Sequence, residues 1–104
     1  MKKVRLSRNA ADYVRKEAAY LRQHNQAAAE RFLERVKSVR RDLAQYAFAG
    51  FSEESLPIPG MRRLLRDGYR YDYRVLQGHI EIAEISHSLN TPLPDPDDKF
   101  DFEA

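Results

Sequence analysis

Five arginines, Arg62, Arg63, Arg66, Arg70 and Arg74, crowd the stretch Met61 to His87. Guanidinium groups at this density suit phosphate or carboxylate, because each offers a planar fork of donors that keeps its charge. Asp72 stands two residues from both Arg70 and Arg74. On an extended chain all three point the same way, so the carboxylate can pair with its neighbours and repel an incoming anion. An imidazole such as that of His87 can trade a proton near neutral pH, although at a strand end it reads equally as a capping or packing side chain. His24 and His79 fall at turns and read as exposed. With no Cys and three scattered His, the chain offers no disulfide, no thiolate chemistry and no clustered ligand set, so no metal and no cofactor are expected.

Three short strands must position these residues. Asp67-Gly68 separates the first from the second, and Gln77-Gly78 separates the second from the third. Asp-Gly is a favoured two-residue hairpin turn because both central positions take positive φ. Tyr69, Tyr71, Tyr73 and Val75 recur with period two and share an apolar face, which leaves Arg70, Asp72 and Arg74 on the other. The tyrosines therefore read as core, not as a stacking platform. One side of the sheet is expected to take helices and the other to face a partner.

The preceding residues supply those helices. Val4 and Leu6 of Lys2–Ser7 suit a short strand, after which Ser7 or Asn9 can cap a helix over residues 10–23, with Ala10, Val14, Ala18 and Leu21 on one stripe. His24-Asn25 interrupts the pattern, and Asn25 caps a second helix over residues 26–46, with Ala29, Phe32, Val36, Val39 and Leu43 inward. Glu30 with Glu34 and Arg31 with Arg35 are like-charged i, i+4 pairs, so this helix surface is not tuned for helix stability alone. Residues 47–60 hold two Pro, two Gly and no periodicity and read as a loop, tied down by Phe48, Phe51, Leu56 and Ile58.

A chain of 104 residues fits one domain, expected over residues 1–90, followed by an acidic, Pro-containing tail over 91–104. The tail carries Asp95, Asp97, Asp98, Asp101 and Glu103 against Lys99, a charge of −4 that leaves +6 on residues 1–90. Phe100 and Phe102 give it apolar anchors should it dock on the basic body. The basic excess points to a polyanion or an acidic protein as partner. Neither a membrane span nor a signal-peptide core is apparent, so no membrane partner and a cytoplasmic location are expected. The sequence lacks helix-turn-helix spacing and an aromatic-basic surface for single strands, which argues against a dedicated DNA-binding module.

The order strand, helical hairpin, loop and meander is a compact α+β arrangement, with the hairpin on one face of a small antiparallel sheet. Five stretches, VRLSRNAADYVRKEAAYL, AAAERFLERV with LAQY, IPGMRRL, GYRYDYRV and HIEIAEISH, resemble in order the RelE/ParE superfamily of bacterial toxins, and AERFLERV is more similar to the ParE branch. The resemblance implies the toxin of a type II toxin–antitoxin system, acting on DNA gyrase and neutralised by a cognate antitoxin that itself contacts operator DNA. The alternative it implies is a RelE-like endoribonuclease that cuts ribosome-bound mRNA. In that case Arg70 matches the arginine on the family's middle strand and His87 the imidazole at the end of the last. Arg62, Arg63, Arg66 and Arg74 would add phosphate or target contacts, and Glu53 or Glu54 a base. Ser88 stands where several of those ribonucleases carry an aromatic.

Overall fold

The computed structural model describes residues 2–52 and 60–87. The expectations placed on Glu53, Glu54, Leu56, Ile58, Ser88, the domain end near Asn90 and the acidic tail lie outside them. Six elements follow in order: β1 (Lys3–Leu6), α1 (Arg8–His24), α2 (Gln26–Gln45), β2 (Met61–Arg66), β3 (Tyr69–Val75) and β4 (His79–His87).

Ser7, not Asn9, caps α1. Its Oγ accepts from the Ala10 N–H at 3.0 Å, satisfying a donor that the first helical turn leaves orphaned. The same hydroxyl donates to the Ala83 carbonyl of β4 at 2.7 Å. Asn25 serves both helices, its N–H donating to Leu21 O at 2.7 Å and its Oδ1 accepting from Ala28 N at 3.2 Å. Ser7→Ala is expected to cost about 1–2 kcal/mol, for the cap and for the carbonyl it leaves unpaired. Urea unfolding with an unchanged midpoint would refute this coupling of α1 to β4.

The helical stripes fall where the periodicity puts them. Ala10 and Ala18 of α1 and Ala29, Phe32, Val36, Val39 and Leu43 of α2 are buried. Ala10, Val39 and Leu43 meet Val4, Leu64, Tyr71, Tyr73, Ile80, Ile82 and Ile85 from one face of the sheet, while Ala18, Phe32 and Val36 form a smaller cluster against Tyr69. The sheet order is β1-β4-β3-β2. The meander β2-β3-β4 is antiparallel as expected, and both turns take positive φ, at Asp67 (55°), Gly68 (86°) and Gly78 (90°). β1 instead pairs with β4 in parallel, so the whole sheet is mixed. Two reversals from β2 to β4 leave those strands pointing the same way, and β1 joins in that direction.

Opposite Asp72 the ladder slips by one residue. Asp72 pairs with Glu84 but Tyr73 with Ile82, leaving Ala83 as the extra residue of a bulge. This irregularity decides which side of the sheet the end of β4 presents.

Candidate functional site

The charged sheet face is built from alternate residues of three strands. Arg63 comes from β2, Arg70, Asp72 and Arg74 from β3, and Glu81 and Glu84 from β4. Asp72 is only 2 % exposed and stands at the centre. It accepts two hydrogen bonds from Arg63, Nε to Oδ1 at 2.8 Å and Nη2 to Oδ2 at 3.1 Å, the bidentate geometry that a guanidinium fork favours. Arg70 approaches from the other side, its Nε 3.5 Å from Asp72 Oδ2 and its Nη2 3.6 Å from Glu84 Oε1. Both are charge contacts, and the buried Arg70 Nε makes no hydrogen bond. Arg74 turns to Glu81 instead of Asp72, with Nε to Oε1 at 3.0 Å. Arg63, Arg70 and Arg74 thus each meet a carboxylate, and an incoming phosphate would have to compete with it.

Two of the expected target-binding arginines lie on the opposite face. Arg62 pairs with Tyr73 and Arg66 with Tyr69, whose rings belong to the helix side. Arg62 donates to Gly50 O through Nε at 3.0 Å and Nη2 at 2.7 Å, and its guanidinium lies 5.1 Å from the centre of the Phe48 ring. Arg66 bonds Asp42 of α2.

Arg62 is therefore part of a loop clamp. The Tyr73 hydroxyl accepts from Gly50 N at 2.8 Å and donates to Ala47 O at 2.8 Å, while Phe51 and Arg63 exchange both backbone bonds, at 2.9 and 2.8 Å. A Cβ on Gly50 would lie 2.7 Å from Arg63 O and 2.8 Å from the Tyr73 ring, so the close approach needs glycine. Phe48 and Phe51, expected to anchor this loop, are 67 % and 43 % exposed. Polar and backbone contacts, with the Phe48 ring against Arg62, hold the described part of the loop, and neither phenylalanine is buried.

The structure does not bring Arg70 and His87 together. His87 pairs with Tyr69, and their rings are 4.8 Å apart on the helix side, whereas Arg70 pairs with Ser86 and points the other way. Strict alternation from Ile80 and Ile82 would set His87 beside Arg70. The extra residue at Ala83 inverts the faces, which is why Ile85 is buried.

On the helix side, sequence reasoning missed a second constellation. Tyr69 OH donates to Glu17 Oε2 at 2.7 Å, and its ring packs 4.9 Å from Phe32. Beside them Leu21, Ala28 and Phe32 floor an open cavity of about 200 Å³, rimmed by Arg31, Arg35 and Asp67. Arg35 Nε reaches Asp67 Oδ2 at 2.8 Å, leaving Arg31 as the rim cation that meets no carboxylate among the described residues. No sequence period marks Glu17 or this cavity, since both arise where the hairpin meets the β2-β3 turn. Among the described residues no cluster of three or more potential metal ligands occurs.

Burial and the Glu17 charge push the Tyr13 phenol up to about 12. Burial and then Asp67 do the same to Tyr71, with Arg66 opposing, and Tyr69 is raised further by burial and its bond to Glu17. A phenol whose pKa is raised on folding contributes stability that is complete below about pH 10, the unfolded value, and is lost as pH rises through the folded one. The denaturation midpoint is therefore expected to decline from about pH 10 toward 12, with phenolate absorbance of the folded chain lagging that of the unfolded one. Coincident titrations would refute it.

No described helix is long and apolar enough to cross a membrane. The family model described as the ParE toxin of type II toxin–antitoxin systems, parDE, matches residues 4–91. Among solved structures, one described as the chromosomal ParDE TA system from P. aeruginosa superposes with a TM-score of 0.60. It is 24 % identical and covers 84 % of this chain and 96 % of that one, a likeness of fold. No curated protein matches the chain.

Proposed function

Because the chain belongs to the ParE toxin family of type II toxin–antitoxin systems, we propose that it inhibits bacterial growth through protein contacts with DNA gyrase and is neutralised by a cognate antitoxin. The observation that carries this over mRNA cleavage is the separation of Arg70 from His87 by the thickness of the sheet. Cleavage by a ribose 2′-OH needs a proton donor and cations converging on one phosphate. The ion pairing of Arg63, Arg70 and Arg74 points the same way, because arginines already held by carboxylates suit a protein surface better than a phosphodiester.

The antitoxin reading is supported by the cavity beside Tyr69. An acidic, amphipathic helix of the partner would lay an apolar side chain on Leu21, Ala28 and Phe32 and bring carboxylates to Arg31. The test runs the purified protein in parallel with gyrase and plasmid and with translating ribosomes. Loss of supercoiling with intact mRNA is expected. Ribosomal A-site cuts with normal supercoiling would overturn the proposal.

A further inference from the structure

β4 delivers the chain to the margin of the cavity beside Tyr69. Its last residue, His87, lies on the helix side with its ring 4.8 Å from that of Tyr69, and Tyr69 is one wall of the cavity. The residues that follow therefore set out from this margin, across the sheet from Arg63, Arg70 and Arg74. They include two aromatic residues, Phe100 and Phe102, and five acids against Lys99. Asp101 adjoins both rings.

The cavity matches such a segment in size, chemistry and charge. Leu21, Ala28 and Phe32 floor a volume of about 200 Å³. An apolar cavity of about 150 Å³ takes up benzene, so there is room for one phenyl ring. On the rim Arg35 is held by Asp67, which leaves Arg31 to receive a carboxylate. The neighbouring Glu17 accepts a hydrogen bond from Tyr69 OH and does not reach for that cation. Arg8, Lys16 and Arg22 also meet no carboxylate among the described residues, but they are exposed on α1 and none of them lines the cavity. An apolar hollow and an unpaired cation coincide at Arg31.

From this coincidence, at the point where the chain leaves β4, we infer that the acidic tail seats one of its phenylalanines in the cavity, with the Asp101 carboxylate on Arg31. The free chain thereby covers its own binding surface. Thirteen positions separate Phe100 from His87. A coil of that length has a root-mean-square span of about 20 Å, enough to return to Tyr69 without stretching. Tethering sets the local concentration of the ring on the order of 1 mM, so a contact with an intrinsic dissociation constant of about 1 mM is filled about half the time. One ring and one salt-screened ion pair are a contact of that weak class. That the antitoxin must displace the tail follows only if it uses the same cavity, as read above, whereas the seating itself concerns the chain alone.

The chain has no cysteine, so Ala104→Cys gives a single attachment point for a nitroxide. In the full chain, with no partner added and at about 50 mM salt, paramagnetic broadening should centre on the amides of Ala28, Arg31, Phe32 and Asp67. At least about half of their intensity should be lost. Phe100→Ala/Phe102→Ala should return these amides to the level of Gln77, in the turn at the far end of β3. Arg31→Glu should remove most of the effect, and so should rising salt. Arg8→Glu, an equal charge change at the other end of α1, should leave it in place. Unchanged shifts of Ile80 and Ile82 in the reduced, diamagnetic samples check that each variant keeps its fold. Broadening centred on Arg70 and Arg74, spread evenly over the chain, or undiminished after loss of both rings would each overturn the inference. None of these outcomes bears on whether an antitoxin binds.

Discussion

Asp72→Ala is expected to destabilise the protein by about 3–5 kcal/mol, because it removes the carboxylate from between Arg63 and Arg70. The side chains of these arginines are 21 % and 14 % exposed, so water can replace little of what is lost. The exposed pair Arg15–Asp12 is the control, and Asp12→Ala should change stability by less than about 0.5 kcal/mol. Urea unfolding of the two variants side by side is the measurement. Equal losses would mean that burial of Asp72 does not set the strength of its ion pairs. In cells the same variant should lose toxicity through lost abundance, since a change of this size is a large part of a small domain's stability.

Phe32→Ala is expected to cost a similar ~3–5 kcal/mol, by a different route. The Phe32 ring is buried between the helices and the sheet, edge-on to Tyr13 at 6.5 Å and tilted against Tyr69 at 4.9 Å. Truncation opens a void under the helical hairpin and removes the floor of the adjacent cavity, so both stability and antitoxin affinity should fall. Phe32→Leu keeps most of the volume and should cost less than about 1.5 kcal/mol. A loss below about 1 kcal/mol for the alanine variant would show that the hairpin is held by other contacts.

The sequence makes the local parts of this architecture readable. Asn25 announces the junction of the helices, Asp67-Gly68 and Gln77-Gly78 the two turns, and the stripe from Ala29 to Leu43 the face of α2. Each is decided within a few residues, by capping, by positive φ or by helical period. The site is less readable because it depends on partners far apart in the chain. Arg62 and Arg63 are neighbours, yet the pleat sends one to a loop carbonyl and the other to Asp72. The placement of His87 depends on one inserted residue. The clue is the gap of three between Ile82 and Ile85, where an even strand would show two, and it becomes meaningful only once both are known to be buried.

The bond from Ser7 to Ala83 spans 76 positions along the chain, and β1 pairs along its whole length with β4. On a ribosome adding about 5–20 residues per second, the first strand therefore waits several seconds for its neighbour to be made. Until then α1 starts from a cap whose hydroxyl lacks its second partner, and the apolar underside of the hairpin has only part of its sheet. Order of synthesis is thus opposed to order of assembly, and the nascent chain cannot close its fold piecemeal from its N-terminus. Until β4 has emerged, the sheet stays open beside β1.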